Sequence, residues 1–593
     1  MIKELKAPFQ YERIVESEAS VEKKKQKVSF KQATYTLRKL WFYLSSRRIL
    51  FSLVLLMVLI SSGLGLLGPY MIGYALDTYI VPGQSEGLLT LLVGLVVVFI
   101  FHSISLFLQN YWMIGIAQQT VNTMRTDLFR HFHVLPISFF DKRQHGELMS
   151  RVTNDIENVS TTLNSSIIQV FSSVLTLLGT VTVMIFLSPL LTAVTLIIVP
   201  LMVIGMKWIT SRTGRLFKQQ QQHLGELNGY IEESISGQKL IKAYSKEARV
   251  IEEFIEKSDQ LMLSGFWAQT ISGFIPKVMN MLNNLSFAIV AGVGGILALN
   301  GLVTIGMIVI FAEYARQFTR PLNDLANQYN TLLSAMAGAE RVFDILEEPK
   351  EEEDSEYVSN NNKPINGEVE FVDVSFSYDQ DDSKQTINHI SFKALAGETV
   401  AFIGPTGAGK TTLVNLISRF YDATDGIIYV DGRDIKEISR DELRRQMAFV
   451  LQDTFLFHGS IMENIRYGRL EATDEEVVKA AKQANAHSFI QQLPNQYETQ
   501  ISQDGNGISH GQKQLLAIAR AMLANPKILI LDEATSSIDT ITEIKIQEAL
   551  NHLMKDRTTF VIAHRLNTIR QADKVIEVKA GEISACHLPE FVE

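Results

Sequence analysis

Cysteine is nearly absent: Cys586 is the single one in 593 residues. One thiol excludes a disulfide framework and any cysteine-based metal or iron–sulfur centre. An excess of positive charge is missing too. Lys and Arg total 55 against 64 Asp and Glu, a formal net charge of −9, and the basic residues do not gather on one predicted helix, so no nucleic-acid partner is called for. Residues 1–28 lack the apolar core of a cleavable signal and mix Glu4, Glu12, Glu16 and Glu18 with Lys23, Lys24 and Lys25; they read as a solvated cytoplasmic tail.

What the chain has instead is apolar length. Its 46 % apolar content and mean hydropathy of +0.10 exceed what a soluble enzyme needs, and it is too long for one domain. A membrane crossing takes about 20 apolar residues. Residues 49–75 and 88–114 supply one each. Residues 158–206 carry no Asp, Glu, Lys or Arg over about twice that length, with Ser188-Pro189 as a turn near the middle, and residues 278–312 repeat the form around Asn300-Gly301. Six spans are expected. The candidate outer loops (residues 81–87, Ser188-Pro189, Asn300-Gly301) have no Lys or Arg, whereas Arg125, Arg130, Lys142, Arg143, Arg151, Lys207, Arg212, Lys239 and Lys242 lie between spans two and three or four and five. That asymmetry puts both chain ends in the cytoplasm.

Residues 37–44 interleave Arg38 and Lys39 with Trp41, Phe42 and Tyr43, a composition suited to an interfacial helix or to simple anchorage. The long connections 118–158 and 207–277 are rich in helix formers, which predicts helices continuing well past the bilayer. The expected division is therefore a tail (1–28), a six-span α-helical domain (29–335), a linker (336–367) with a polar, acidic stretch, and a soluble domain (368–593).

The soluble half carries GPTGAGKT: Gly404, Pro405, Thr406, Gly407, Ala408, Gly409, Lys410 and Thr411 fit G-x-x-x-x-G-K-[ST], between an apolar strand pattern (399–403) and a helix start (413–417), with Thr412 counted in the ATP-binding set. Such a loop wraps backbone N–H groups round phosphates, lets Lys410 reach the β and γ phosphates of ATP, and offers the Thr411 hydroxyl to Mg²⁺. A second apolar strand ends in Asp532-Glu533, a Walker B pattern in which Asp532 would hold Mg²⁺ and Glu533 would polarise the attacking water. Two more predicted strands end at Gln452 and His564. Ligands in open α/β sheets bind beyond the carboxyl ends of the strands, so these four groups are expected at one phosphate site, with Glu533, His564 and Gln452 as the catalytic set and Thr411, Gln452 and Asp532 round the metal.

Ser509 with Gln512 forms a capping box that starts a helix. In their position and order, Ile508, Ser509, His510, Gly511 and Gln512 resemble the LSGGQ signature of ATP-binding-cassette (ABC) proteins. With that match the chain resembles a half-size ABC exporter of type I: a six-span membrane domain fused to an α/β P-loop nucleotide-binding domain. The resemblance implies that Tyr378 stacks on adenine, that Ser537, Ile538 and Asp539 form the D-loop, and that Phe139, Phe140 and Asp141 with Gly146, Glu147, Ser150 and Arg151, and Glu232 with Lys242, Ala243 and Glu247, belong to loops that dock coupling helices. It also implies a second half-transporter, since each ATP lies between one chain's phosphate loop and the other chain's signature.

Three departures stand out. His510 occupies a glycine position of the signature, putting a β-carbon and imidazole near a γ-phosphate and removing glycine-only conformations. Ser502, Gln503, Asp504 and Gly505 replace the family's T-x-x-G-E-R-G pattern, and the tail from Ser584 lacks the usual ending. The expectation is an ATP-driven exporter of amphipathic or hydrophobic, multidrug-type compounds in a bacterial plasma membrane. It would pair with a different chain that has an intact signature and a degenerate Walker B, beside membrane lipid and an amphipathic cargo. A lipid or peptide exporter, and an ATP-gated receptor or channel without sustained turnover, are the alternatives. Asn280, Asn283, Asn284, Glu313 and Arg316, polar residues in or beside the last two spans, are the candidate cargo cavity; an ion pair between Glu313 and Arg316 is the structural alternative.

Overall fold

Lipid offers the backbone no hydrogen bonds, so long Leu-, Val- and Ile-rich runs must close their own as helices. A computed structural model of the chain describes residues 30–351, 364–378, 385–452, 454–501, 507–532, 539–563 and 566–587. The chain forms two units, one from Met1–His133 with His145–Glu348 and the other from Val134–Gln144 with Pro349–Glu593. The expected tail at 1–28 lies outside the described residues.

Among its described residues the first unit is built of helices and the short turns that join them. Among the described residues, four helical stretches are long and apolar enough to cross a membrane: Arg48–Ile80, Leu88–Phe132, His145–Leu187 and Glu247–Leu299. The expected fourth and sixth crossings fall on interrupted helices, Pro189–Leu196 followed by Ile198–Ser236, and Ile305–Gln317 followed by Thr319–Glu347. Their sequence supplies a reason. Pro200 has no N–H for the carbonyl of Leu196, and Pro321 has none for that of Gln317, so each i→i−4 ladder breaks at the residue where its helix ends. Pro69 and Pro276, in contrast, lie inside helices that continue.

The turns behave as expected: the Ser188 hydroxyl accepts from Leu191 N with Pro189 in the first turn, and Gly301 takes a positive φ after Leu299. The predicted extensions are present as well. Leu88–Phe132 is one helix of 45 residues and Glu247–Leu299 one of 53, about 70 and 80 Å at ~1.5 Å per residue, well beyond a bilayer. Helix Phe30–Leu44 carries Trp41, Phe42 and Tyr43, the first two of them exposed. Residues 336–347, assigned to the linker on sequence, are instead the end of helix Thr319–Glu347; of the polar stretch after it, residues 352–363 lie outside the described set.

The second unit is α/β. Its six-stranded sheet has the spatial order Glu582–His587, Lys574–Lys579, Thr399–Ile403, Thr558–Ile562, Ile528–Asp532, Met447–Val450. The five strands other than Glu582–His587 are parallel and that edge strand is antiparallel. Ile528, Leu529, Ile530 and Phe560 are fully buried, the continuous apolar pattern of strands covered on both faces. Phe402 and Phe560 stack with centroids 5.9 Å apart. A separate antiparallel sheet places Val369–Phe376 between Ile387–Ala394 and Asp425–Val430. The atypical tail therefore has a structural role up to His587, as the edge of the main sheet.

Candidate functional site

Strand register explains why four distant sequence segments converge. Phe402, Ile562 and Asp532 lie in one row across the sheet, and Ala401, Val561, Leu531 and Val450 in the row before it. Gly404 and Gln452 thus follow one or two residues past the same line, at the carboxyl edge of the parallel strands, and the strand Thr558–Ile562 leads there towards residue 564. Glu533 and His564 themselves lie outside the described residues, as do Ser537 and Ile538.

The loop between Ile403 and helix Lys410–Ile417 has the geometry of an anion cradle. Gly404 (φ +142) and Gly409 (φ +106) occupy the left-handed region, and a β-carbon would stand 2.1 Å from Val578 O at the first and 2.7 Å from Ile387 Cδ1 at the second. No other residue fits either place. Pro405, Thr406 and Gly407 are exposed at the crown, while Ala408, Gly409, Lys410 and Thr412 are buried and Thr411 faces solvent. The first N–H groups of the helix have no intrahelical carbonyl and point to the loop, where the helix end is positive.

Lys410 Nζ donates to Gly404 O at 2.7 Å and Pro405 O at 2.9 Å. Burial holds its ammonium below the ordinary lysine value, and the Asp532 carboxylate acts in the opposite direction. A buried cation whose hydrogen bonds among the described residues go to carbonyl oxygens, with a carboxylate close enough to feel it, is poised for an anion. The oxygens expected round a metal, the Thr411 hydroxyl, the Gln452 amide and the Asp532 carboxylate, are hard donors of the kind Mg²⁺ takes.

Tyr378 reaches the same helix: its hydroxyl donates to Thr412 Oγ1 at 3.1 Å and accepts from Asn415 Nδ2 at 3.3 Å. Its ring is half-buried and meets Tyr421 edge-on at 4.9 Å. Tyr421, which sequence reading missed, donates in turn to Asp141 Oδ2 at 2.7 Å. Burial and then that carboxylate push the phenol up. Asp141 ends the short helix Ile137–Asp141, whose Phe139 is buried, within the segment Val134–Gln144 that groups with the second unit.

The signature segment forms as the capping pattern requires. Ser509 Oγ accepts from Gln512 N at 3.3 Å and Gln512 Oε1 accepts from Ser509 N at 2.8 Å, starting helix His510–Ala524. His510 is the first helical residue, exposed, and absent from the positive-φ positions. The expected loss of a glycine-only backbone is thereby corrected: this position is ordinary helix and needs no glycine, so any effect of His510 comes from its side chain. Gly511 is buried behind it. Asp539 has a local duty, accepting from Thr542 N at 2.9 Å as the cap of helix Thr540–Met554; that backbone bond holds its carboxyl below the usual range. Ser502 to Gly505 lie outside the described residues.

In the first unit, Glu313 and Arg316 pair at 3.6 Å along helix Ile305–Gln317, and the guanidinium lies 5.2 Å over the ring of Phe287. Phe287 stands one helical turn past Asn283 and Asn284 on helix Glu247–Leu299; Asn280 and Asn284 are exposed and Asn283 is half-buried. The ion pair is therefore present, and it reaches the helix of the three asparagines through Phe287. Among the described residues no cluster of His, Cys, Asp or Glu is suited to holding a metal by itself.

Comparisons with known proteins agree with this layout. Residues 51–322 match the ABC transporter transmembrane region and residues 387–536 the ABC transporter family. An uncharacterised ABC transporter ATP-binding protein of Bacillus subtilis is 59 % identical over 98 % of this chain and 96 % of its own length. A fatty acid ABC transporter ATP-binding/permease protein of Mycobacterium tuberculosis is 46 % identical over 79 % of this chain and 73 % of its own. An ATP-dependent lipid A-core flippase of Syntrophus aciditrophicus is 34 % identical over 90 % and 88 %.

Proposed function

The chain belongs to the ABC transporter family, and from that premise we propose that it exports amphipathic or hydrophobic compounds across a bacterial plasma membrane as one half of a dimer. Transmembrane region and ATP-binding domain are fused in one polypeptide, so this is an ATP-hydrolysing, multi-pass membrane protein whose architecture calls for a second ABC chain. The observation that carries the reading is the shared sheet edge, to which strand register brings the phosphate loop, Gln452 and Asp532, in a chain whose earlier residues match a transmembrane region.

In this reading Lys410 exchanges its two carbonyl partners for the β and γ phosphates of ATP, and Gly404 to Thr412 supply the cradle. Thr411, Gln452 and Asp532 would hold Mg²⁺, which would neutralise phosphate charge. Glu533 polarises the attacking water, while His564 and Gln452 orient the γ-phosphate and that water. Tyr378 supplies an aromatic face for adenine. Ser509, His510, Gly511, Gln512 and Asp539 face the partner's nucleotide. Closure of the pair on ATP switches the membrane helices between inward- and outward-facing arrangements, a shift that requires ATP to bind the closed state more tightly.

The names of two relatives refer to acyl-chain molecules, a fatty acid and lipid A-core, which favours an acyl-bearing amphiphile over a peptide as cargo. The polar set Asn280, Asn283, Asn284, Glu313 and Arg316 is the proposed contact for its head group. Unequal ATP sites are part of the same proposal: His510 weakens the site built with this chain's signature, so a different partner with an intact signature completes the hydrolysing one.

The test is the affinity-purified transporter, with any partner chain retained, in proteoliposomes. Vanadate-sensitive ATPase and ATP-dependent uptake of a pyrene-labelled fatty acid into inside-out vesicles are expected, with Hoechst 33342 as the multidrug probe. Hydrolysis without uptake of either probe would remove the cargo assignment; ATP binding without sustained hydrolysis would favour an ATP-gated receptor.

A further inference from the structure

The chain passes into the ATP-binding unit twice, at Val134 after helix Leu88–Phe132 and at Pro349 after helix Thr319–Glu347. Within that unit the two passages are tied together, since Glu351 N donates to Val134 O at 2.8 Å. Within the membrane unit the same two strands of chain meet again, where His131 Nε2 lies 3.1 Å from Glu348 O. The passages are a fastened pair.

The carboxylate of Glu351 makes a second connection. Arg444 grips it with both terminal nitrogens, at 2.7 Å to Oε1 and 3.1 Å to Oε2, and Arg440 Nε stands 3.5 Å from Oε1. A forked guanidinium–carboxylate pair fixes orientation as well as distance, and with both partners about three-quarters buried it is little screened. The other side of Arg444 caps a helix. It donates to Arg419 O at 2.8 Å and reaches Ser418 O at 3.5 Å, just past the end of helix Lys410–Ile417. This cation therefore sits at the negative end of the helix whose positive end opens on the phosphate loop. Its plane lies 5.2 Å from Phe420, which stacks at 5.6 Å on Phe449 in the strand leading to Gln452.

We propose that Arg444 and Glu351 form the positioning link by which the phosphate-loop helix moves both chain passages. Among the described residues, neither side chain is bonded to the phosphate loop, Gln452 or Asp532. A two-turn helix is stiff, so a displacement at Lys410 when phosphate draws it from Gly404 and Pro405 reaches Ser418 and Arg419 with little loss. The fork then hands it to Glu351, whose N–H carries Val134 with it. An ordinary linker ion pair would explain none of this sharing, because one bond at either end would suffice to dock the segment. The inference rests on the ATP-driven transport reading.

The experiment uses the full transporter in proteoliposomes, with Cys586→Ser and spin labels at Ser85→Cys and Asn300→Cys in two loops of the membrane unit. Steady-state ATPase and the label distance with and without ATP–vanadate are both measured. Glu351→Gln keeps the N–H bond to Val134 but weakens the fork. It is expected to leave KM for ATP within about twofold and kcat within about threefold, while the nucleotide-driven distance shift falls by at least about half. The charge swap Glu351→Arg with Arg444→Glu should restore part of that shift, which a lost packing contact would not predict. Should Glu351→Gln fail to assemble, Arg444→Lys, which keeps the charge and loses the fork, carries the same test. A full shift in these variants overturns the link, and so does a parallel loss of hydrolysis and shift that the swap leaves unrepaired. If the unmodified transporter hydrolyses ATP without any shift, the transport reading falls and the link with it.

Discussion

Asp77, in the last turn of the first apolar helix, accepts the backbone N–H of Gly306 at 2.7 Å through Oδ1, while its Oδ2 takes the Thr304 hydroxyl. The two helices approach closely here: a β-carbon on Gly306 would stand 2.1 Å from Gly73 O. A side chain at the end of one helix thus caps the start of another, Ile305–Gln317, and Tyr314 from that helix donates to Leu66 O at 2.7 Å further along.

Asp77→Ala removes an acceptor from a half-buried N–H and a hydroxyl, a loss of about 1–3 kcal/mol. The apparent melting temperature of the detergent-solubilised protein should fall by several degrees, and that of Asp77→Asn, which keeps one acceptor oxygen, by clearly less. Equal shifts for the two variants would show that the charge, and not the cap, is what matters.

Glu533→Gln should lower kcat for ATP by about 100-fold or more, the usual contribution of a positioned base, while ATP binding persists. Lys410→Ala should instead weaken binding, because it removes the cation that the loop holds ready at Gly404 O and Pro405 O. Nucleotide affinity measured by filter binding separates the two. Hydrolysis by Glu533→Gln within a few-fold of the unmodified protein would exclude it as the base.

Since His510 sits in ordinary helical backbone, His510→Gly should cost only about 0.3 kcal/mol of helix stability, yet raise ATPase if the imidazole obstructs the partner's nucleotide. The chain purified alone is expected to hydrolyse slowly, and with its partner several times faster. Robust hydrolysis by the lone chain, unimproved by His510→Gly, would end the case for unequal sites.

Asn283→Ala should reduce cargo-stimulated ATPase more than basal ATPase. Glu313→Gln is the companion, because it breaks the pair with Arg316 and frees the guanidinium above Phe287. A proportional loss of basal and stimulated rates in both variants would assign this polar cluster to holding the helices together.

Much of this was legible in sequence, where the chemistry is local. GPTGAGKT between a strand and a helix, Ser509 with Gln512 as a capping box, and Ser188-Pro189 as a turn each depend on a few adjacent residues, and the structure repeats them closely. The breaks at Ile197 and Phe318 coincide with Pro200 and Pro321, which a count of uncharged residues does not register; proline alone does not mark a break either, since Pro69 and Pro276 sit in helices that continue. Asp539 read as part of a nucleotide loop, and its cap on Thr542 shows how a short-range bond competes for the same side chain.

The sequence alone determined that phosphate chemistry sits at the end of a parallel sheet and that apolar helices precede it, because period, glycine placement and span length are properties of neighbouring residues. Which distant residues meet was decided only by the tertiary fold. Tyr421 finds Asp141 across 280 positions and Arg444 finds Glu351 across 93, and neither pair leaves any pattern along the chain. Side chains so far apart in sequence are matched by the packing of the helices and strands that carry them, since no local rule encodes a register between elements.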